Sequence, residues 1–208
     1  MVHLGDGQKR GGDVQRSRLT PVDSIQPMRS EEAEEISRLI VASVREGLST
    51  RYSPEVVEGL ARGNGVEAVR NHGPKQTDYG LHSGDRIVAM IGLKRNEVGH
   101  LYVHPAHYRK GLGRTLVEFA TKKFREAGYK DMMVMASLNA VDFYKRCGFT
   151  EQSHGSFKVG AGLDLEYVRM TCSIVEGDIE NGGRPAGRPY FGDGMTWPQE
   201  EQRRGRFV

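Results

Sequence analysis

Apolar residues in the middle of the chain recur at the spacing of amphipathic helices. Residues 36–48 carry an apolar side chain every three or four positions, and residues 112–127 repeat this pattern over a longer stretch. Between them, the Ser-Pro-Glu sequence at 53–55 is a helix-start signal, because serine caps, proline fits the first turn and glutamate complements the helix dipole. An apolar stripe at residues 56–61 follows that signal. Three helices are therefore predicted, and Ser30 is the candidate cap of the first.

Seven other segments have the alternating or continuous apolar pattern of β-strands. A Ser-Gly-Asp turn at 83–85 joins two of them into a hairpin, and residues 131–137 are apolar on both faces, as in a buried central strand. The seven segments are residues 25–28, 78–82, 86–94, 98–104, 131–137, 149–158 and 163–171. With a short fourth helix at 140–147, they predict an α/β (α+β) domain of about four helices and a mixed, mostly antiparallel sheet.

The two ends of the 208-residue chain lack this periodicity. Residues 1–23 are rich in glycine and charge, which predicts a disordered leader. Residues 177–208 are rich in Gly, Pro and Arg, which predicts a flexible tail. Residues 24–176 are then left as one domain of ordinary size.

Composition narrows the class of protein. With 30 basic and 27 acidic residues the net charge is only +3, too balanced to predict a nucleic-acid partner. The longest apolar run, residues 87–93, is far shorter than the roughly 20 residues of a membrane helix. The two cysteines have neither disulfide-framework nor metal-ligand spacing. We therefore expect a cytoplasmic protein without metal, membrane or nucleic-acid binding.

Residues 101–114 hold the most informative pattern, in which a strand ends and a short loop with two glycines enters a long helix. Free N–H groups collect at a helix start, where the dipole also favours an anion, and Gly111 and Gly113 let a ligand approach the backbone. Three side chains add positive charge: Arg109, Lys110 and Arg114. The segment predicts a diphosphate site. It is neither a Walker loop nor GxGxxG, because Leu116 holds the third glycine position.

Two segments resemble motifs of the GNAT superfamily of N-acetyltransferases. Residues 101–113 resemble its strand and Gln/Arg-x-x-Gly-x-Gly/Ala loop, with Tyr108 in place of the usual Gln or Arg. Residues 137–149 resemble its Asn-x-x-Ala-x-x-Phe-Tyr-x-x-x-Gly-Phe segment, with Ser137 in place of the first Asn. The resemblance covers about residues 24–172 and implies a GNAT fold with splayed central parallel strands.

The resemblance also implies acetyl-coenzyme A (acetyl-CoA) as the cosubstrate. Its pantetheine arm would lie between the strands at 98–104 and 131–137 and pair with their free backbone groups. An N–H near Leu101 would then polarise the thioester carbonyl. The residues expected to bind the coenzyme are Leu101, Val103, Tyr108, Arg109, Lys110, Gly111, Leu112, Gly113, Arg114, Asn139 and Tyr144.

Acetyl transfer requires a neutral amine, so a base or a water relay must take a proton from an alkyl amine of pKa about 10. Glu97 is the candidate base, because it precedes Gly111 by fourteen positions, as in the histone-acetylating branch of the family. An exposed strand-end carboxylate is the alternative interpretation of Glu97. His100 and His104, on one strand face, are alternative relays. The resemblance gives Tyr144 the role of protonating the departing thiolate.

The predicted function is N-acetyl transfer from acetyl-CoA directly to an amine of a small molecule or peptide, through a ternary complex. The alternative is a non-catalytic module that binds or senses acyl-CoA. Asn139 either caps the short helix or contacts the coenzyme, and Cys147 is expected to face the core. The acceptor, the acyl chain length and the choice between monomer and homodimer stay open. Candidate acceptor-lining residues are Arg51, Tyr52, Tyr79 and Phe157.

Overall fold

The computed structural model describes residues 24–71, 76–160 and 162–175, so the predicted leader and tail lie outside the described residues. The strands in that part of the chain are β1 (Ser24–Pro27), β2 (Thr77–Ser83), β3 (Arg86–Lys94), β4 (Glu97–Val103), β5 (Asp131–Ser137), β6 (Thr150–Gly160) and β7 (Leu163–Ser173). The helices there are α1 (Ala33–Leu48), α2 (Pro54–Gly63), α3 (Val66–Arg70), α4 (Leu112–Glu126) and α5 (Val141–Arg146).

The strands form one sheet in the order β1-β2-β3-β4-β5-β7-β6. Every neighbouring pair is antiparallel except β4 and β5, which are parallel. This mixed, mostly antiparallel sheet confirms the predicted fold class. The five-residue helix α3 was not predicted, because it is too short to show a helical period.

Each face of the sheet carries its own apolar core. Helix α4 packs on one face through fully or nearly fully buried residues such as Leu116 and Phe124. Helices α1 and α2 cover the other face, where Ile40 and Val44 have no exposed surface. The α4 core and the α1/α2 core are thus separated by the sheet, and any opening in the sheet connects them.

Two helix starts differ from the predictions, although Ser53 does accept a hydrogen bond from the N–H of Val56, as expected of a cap. Asn139 does not cap α5, because Ala140 takes the N-cap position and no side chain bonds there. Ser30, which looks like the cap of α1, instead begins a short 3-10 turn ahead of it. In both cases the chain turns one or more residues before the regular helix begins.

Strands β4 and β5 are paired at one end only. The paired positions are Glu97 with Met133 and Val98 with Val134, and no further pairing joins the two strands. The register of β4 against β3 shifts just beyond these pairs, so that β4 has one extra residue near Gly99. A bulge of this kind bends its strand and increases the twist, which explains why β4 leaves β5 at this point. The resulting space is called the strand gap below.

A partly buried polar cluster lies beside the bulge, between β2, β3 and β4. Asp78 Oδ1 is 3.1 Å from His100 Nε2 and accepts a hydrogen bond of 2.8 Å from Gln76 Nε2. Gly92 makes room for the cluster, because a Cβ built on it would lie 2.6 Å from an atom of each of the three side chains. A Cβ on Gly99 would likewise lie 2.8 Å from Gln76 Oε1. The two strand glycines are therefore packing requirements of this cluster.

We expect Gly92→Ala to lower the free energy of unfolding by about 1–3 kcal/mol, because the added methyl group must displace the three closely packed polar side chains. Gly63→Ala is the matched control, since nothing lies within 4 Å of the added atom. Urea unfolding followed by circular dichroism measures both changes. Equal stabilities for the two variants would contradict the packing role of Gly92.

Burial of Tyr102 leads us to expect that the free energy of unfolding falls at alkaline pH. Burial raises the pKa of Tyr102 to about 12, whereas an unfolded tyrosine titrates near about 10. Above pH 10 the unfolded chain loses this proton first, so the stabilisation is complete below pH 10 and is lost as the pH approaches 12. Unfolding free energies measured between about pH 9 and 11 should fall less steeply for Tyr102→Phe than for the wild type. Identical slopes for the variant and the wild type would exclude a contribution of Tyr102 to the loss of stability at alkaline pH.

Candidate active site

The β4 side of the strand gap exposes a free backbone edge. The N–H of His104 donates to the carbonyl of Val88 on β3, so Tyr102, two residues earlier, has its backbone groups on that same side. Because the direction alternates along a strand, the N–H and C=O groups of Leu101 and Val103 are directed away from β3 and toward the gap. This geometry agrees with the expectation that these two residues offer backbone partners to a ligand.

The β5 side of the gap is a second free edge. The N–H of Met133 donates to the carbonyl of Asn96, which sets the direction of alternate residues along β5. The backbone groups of Met135 therefore also face the gap, while the carbonyl of Ser137 accepts from Ala140. Two strand edges with free donors and acceptors thus face each other across a space that a strand-like chain can fill.

The loop that enters α4 has an unusual backbone conformation at two positions. Arg109 has φ of 62° and Gly111 has φ of 84°, both in the left-handed region. Among the described residues, no protein group accepts a hydrogen bond from the N–H groups of residues 109–114, and no side chain caps α4. Successive free N–H groups at the start of a helix form an anion-binding concavity. The backbone of this loop can therefore hold a diphosphate.

The side chains of this loop have different roles from one another. Leu112 is buried in the α4 core at 6% exposure, so only its backbone is available to a ligand. Gly113 lets α4 approach Phe143, since a Cβ built there would lie 3.1 Å from the ring. Arg114 is an exposed side chain 3.5 Å from Glu118, and the Lys110 amine is 3.5 Å from His107 Nδ1. The positive charge is thus carried on exposed side chains around the backbone concavity.

Tyr108 and Asn139 meet at helix α1. The Tyr108 hydroxyl lies 3.5 Å from both the hydroxyl and the carbonyl of Ser43. A Cβ built on Gly47 would be 3.4 Å from the Tyr108 hydroxyl and 3.8 Å from Asn139 Nδ2. Asn139 is exposed at the rim of the strand gap, where contact with a coenzyme is the alternative that remains for it.

Tyr144 lines the strand gap from the side of α5. Its ring is 5% exposed and packs edge-on against Phe143 and Phe149. Burial raises the pKa of Tyr144, so its hydroxyl keeps its proton at neutral pH. Just after the same helix, burial also raises the pKa of the half-buried Cys147 thiol, which disfavours the thiolate a nucleophile would need.

The three candidates for an amine base occupy different places along β4. Glu97 is 8% exposed at the paired end of β4, and it is not among the described residues that line the gap. His104 Nδ1 accepts a hydrogen bond from the N–H of Ala106 and so caps a 3-10 turn. His100 lines the gap, with its Nε2 3.1 Å from Asp78 Oδ1 and its Nδ1 3.3 Å from Gln76 Nε2. Of the three, His100 alone combines access to the gap with a carboxylate partner. Glu97 is buried, so the interpretation of it as an exposed strand-end carboxylate is wrong.

Sequence reasoning missed the partners of His100. Gln76 and Asp78 precede it by more than twenty positions and lie on another strand or before it, so only the sheet register brings them together. Gly92 and Gly99 were the available signals, because a glycine inside an apolar strand often marks a bulge or a close approach.

The residues predicted to line the acceptor pocket lie in different parts of the structure. Phe157 lines the gap, whereas Tyr79 packs edge-on against Phe119 in the α4 core, 4.9 Å between ring centroids. Tyr52 has a bridging role, because its hydroxyl donates to the carbonyl of Glu166 and accepts from the N–H of Leu138. Tyr52 therefore links the loop before α2 to β7 and to the residue that follows β5.

Within the described residues, no helix is both long and apolar enough to cross a membrane. The same residues contain no group of three or more His, Cys, Asp or Glu side chains placed to hold a metal ion.

Several solved structures share this fold. A GCN5-related N-acetyltransferase from Rhodopseudomonas palustris superposes with a TM-score of 0.68 at 24% identity, over 72% of this chain and 94% of that one. The PaiA N-acetyltransferase from Thermoplasma acidophilum, solved with coenzyme A, gives 0.60 at 22% identity, over 72% and 98% of the two chains. An aminoglycoside 6'-N-acetyltransferase complexed with coenzyme A gives 0.51 at 16% identity, over 73% and 97%. At these identities the likeness concerns the fold alone.

No curated protein matches the chain significantly. The profile of a family described as "Acetyltransferase (GNAT) domain" matches residues 50–174, which is more than half of the chain. That match includes the strand gap, the loop into α4 and the polar cluster around His100. The chain belongs to the GNAT acetyltransferase family.

Proposed function

We propose that this protein is an acetyl-CoA-dependent N-acetyltransferase that transfers the acetyl group directly to an amine in a ternary complex. One observation carries the proposal: the free N–H groups of residues 109–114 lie at the start of α4, beside two strands that part. A diphosphate joined to an amide-containing arm is the ligand that such a combination fits. Coenzyme A has both parts, and two of the structural neighbours were solved with it.

In this proposal the diphosphate binds the loop backbone, and the pantetheine amides pair with the edges at Leu101, Val103 and Met135. The side chains of Tyr108, Arg109, Lys110 and Arg114 surround the phosphates, and Asn139 contacts the arm at the rim of the gap. The thioester carbonyl lies near the N–H of Leu101, which stabilises the oxyanion that forms during attack. The reacting carbon is thereby held between Tyr144 and His100, which both line the gap.

The acceptor amine attacks the thioester carbonyl, a C–N bond forms, and the C–S bond breaks. His100 accepts at Nδ1 the proton that the amine loses, once the Gln76 amide has moved off that nitrogen, and the Asp78 carboxylate stabilises the resulting imidazolium. Tyr144 donates its hydroxyl hydrogen to the departing sulfur, and its raised pKa favours return of a proton from solvent. The proton taken by His100 balances the one gained by sulfur. Glu97 stays a predicted base, but its position at the closed end of the gap makes His100 the preferred one.

Coenzyme binding is tested with Gly111→Ala, which adds no clash because nothing lies within 4 Å of the new Cβ. At φ of 84° an alanine costs about 1–2 kcal/mol, so we expect the free loop of the variant to relax to another conformation. Coenzyme A must then restore the original conformation and should bind roughly 5–30-fold more weakly. Gly63→Ala is the control, since it adds the same methyl group in open space outside the loop. Titration calorimetry with coenzyme A measures both. If Gly111→Ala binds as tightly as wild type, the loop does not hold the coenzyme as proposed.

Catalysis is tested with Tyr144→Phe and His100→Gln, assayed for thiol release with a screened amine. Each should lower kcat by on the order of 10²-fold or more while the Kd for coenzyme A changes little. Tyr129→Phe, on an exposed ring outside the gap, is the matched control. Unchanged kcat in both site variants would refute the assigned roles. A wild-type protein that binds acetyl-CoA but acetylates no amine would instead favour the non-catalytic sensing module.

A further inference from the structure

The strand gap opens on the face of the sheet that α1 and α2 cover. On that face its walls are four apolar side chains, one from each of four elements: Leu48, Leu60, Phe157 and Leu165. Leu48 and Leu165 are buried, whereas Leu60 and Phe157 are half-buried and border the opening. Tyr144 and the loop that enters α4 belong to the opposite, α4 side. A molecule that enters from the α1/α2 face therefore meets the reacting centre across an apolar vestibule.

The described residues that line this vestibule carry no carboxylate. Among these lining residues, His100 is the one ionisable side chain besides the tyrosines. It lies at the end of the vestibule nearest the reacting centre, and its imidazole contacts the Asp78 carboxylate. Glu58, an acid on α2, is occupied by Arg45 through two hydrogen bonds of 2.7 and 2.8 Å. The vestibule thus has one polar end, where an amine would react, and apolar walls around the rest of the acceptor.

This distribution of charge discriminates between classes of amine. An acceptor with several ammonium groups loses their hydration in such a vestibule, and no carboxylate of the described lining residues compensates for the loss. An apolar body gains about 25 cal/mol for each Å² that it buries there. An acceptor with a single amino group on an apolar body can place the nitrogen at His100 and the body against Leu60 and Phe157.

We infer that the acceptor is a small primary amine carried on a compact aromatic or branched aliphatic body, and not a polycation. This inference rests on the proposed acetyl transfer, and it adds the chemical class of the substrate. Phe157 and Leu60 are the specificity-determining residues, because they border the opening and contact the body of the acceptor without touching the reacting atoms.

The first test compares three amines with the full chain and saturating acetyl-CoA: 2-phenylethylamine, spermidine and kanamycin. We expect kcat/KM for 2-phenylethylamine to exceed the other two by about 10-fold or more, the discrimination that an apolar pocket provides. Calorimetry of 2-phenylethylamine with the coenzyme A-saturated protein gives a second readout that needs no turnover. Preference for spermidine or kanamycin, or the absence of 2-phenylethylamine binding, would overturn the inference.

The second test uses a matched pair of leucines. Leu60→Ala should raise KM for 2-phenylethylamine by roughly 5–30-fold with little change in kcat, because it removes buried contact with the acceptor body. Leu163→Ala removes the same atoms from a half-buried leucine that packs against Gly59 outside the vestibule lining, and it should leave KM unchanged. Equal KM values for both variants would overturn the role of Leu60.

The proposed acetyl transfer and the proposed acceptor class can be contradicted by different results. If the wild-type protein does not bind coenzyme A, the proposed function itself is wrong. If it binds coenzyme A and acetylates polycations better than 2-phenylethylamine, acetyl transfer stands and only the acceptor class is wrong.

Discussion

The arrangement of the site depends on unpaired backbone groups at the centre of a sheet. Strands β4 and β5 share only two paired positions, after which Leu101, Val103 and Met135 face a gap with their main-chain groups. A buried N–H or C=O without a partner is costly, so this region of the sheet is stable only if water or a ligand completes it. In the proposed function, the gap therefore binds the coenzyme through its main chain, and side chains adjust what it accepts.

Two cores on opposite faces keep the parted strands in place. The α4 core supports β4 through half-buried residues such as Leu101, while the α1/α2 core reaches the gap through Leu48 and Leu165. Beside the gap, the Tyr52 hydroxyl joins the N–H of Leu138, the residue after β5, to the carbonyl of Glu166 on the neighbouring strand β7. The gap is consequently bounded on both faces of the sheet by structure that does not require β4 and β5 to pair.

Local features of this fold could be predicted from the sequence, and contacts between distant segments could not. Gly111 was assigned a backbone role from its position before α4, and it has the positive φ that the role requires. Gly113 carried the same sequence signal, yet it packs closely against Phe143, which lies thirty positions later in the sequence. The pairing of Asp78 with His100 depends on the register of three strands and on a bulge, neither of which leaves a local pattern. The loop was therefore within reach of sequence reasoning, and so was His100 as a candidate relay, but the carboxylate partner of His100 was not.

Gly92 has a consequence for how this protein can diverge. Because any side chain at that position would collide with Asp78, Gln76 and His100 together, a mutation there is not an independent event. A larger residue in this place is accommodated only if at least one of the three polar side chains shifts, shortens or is lost. Exchange of this glycine would therefore change the surroundings of His100 as well.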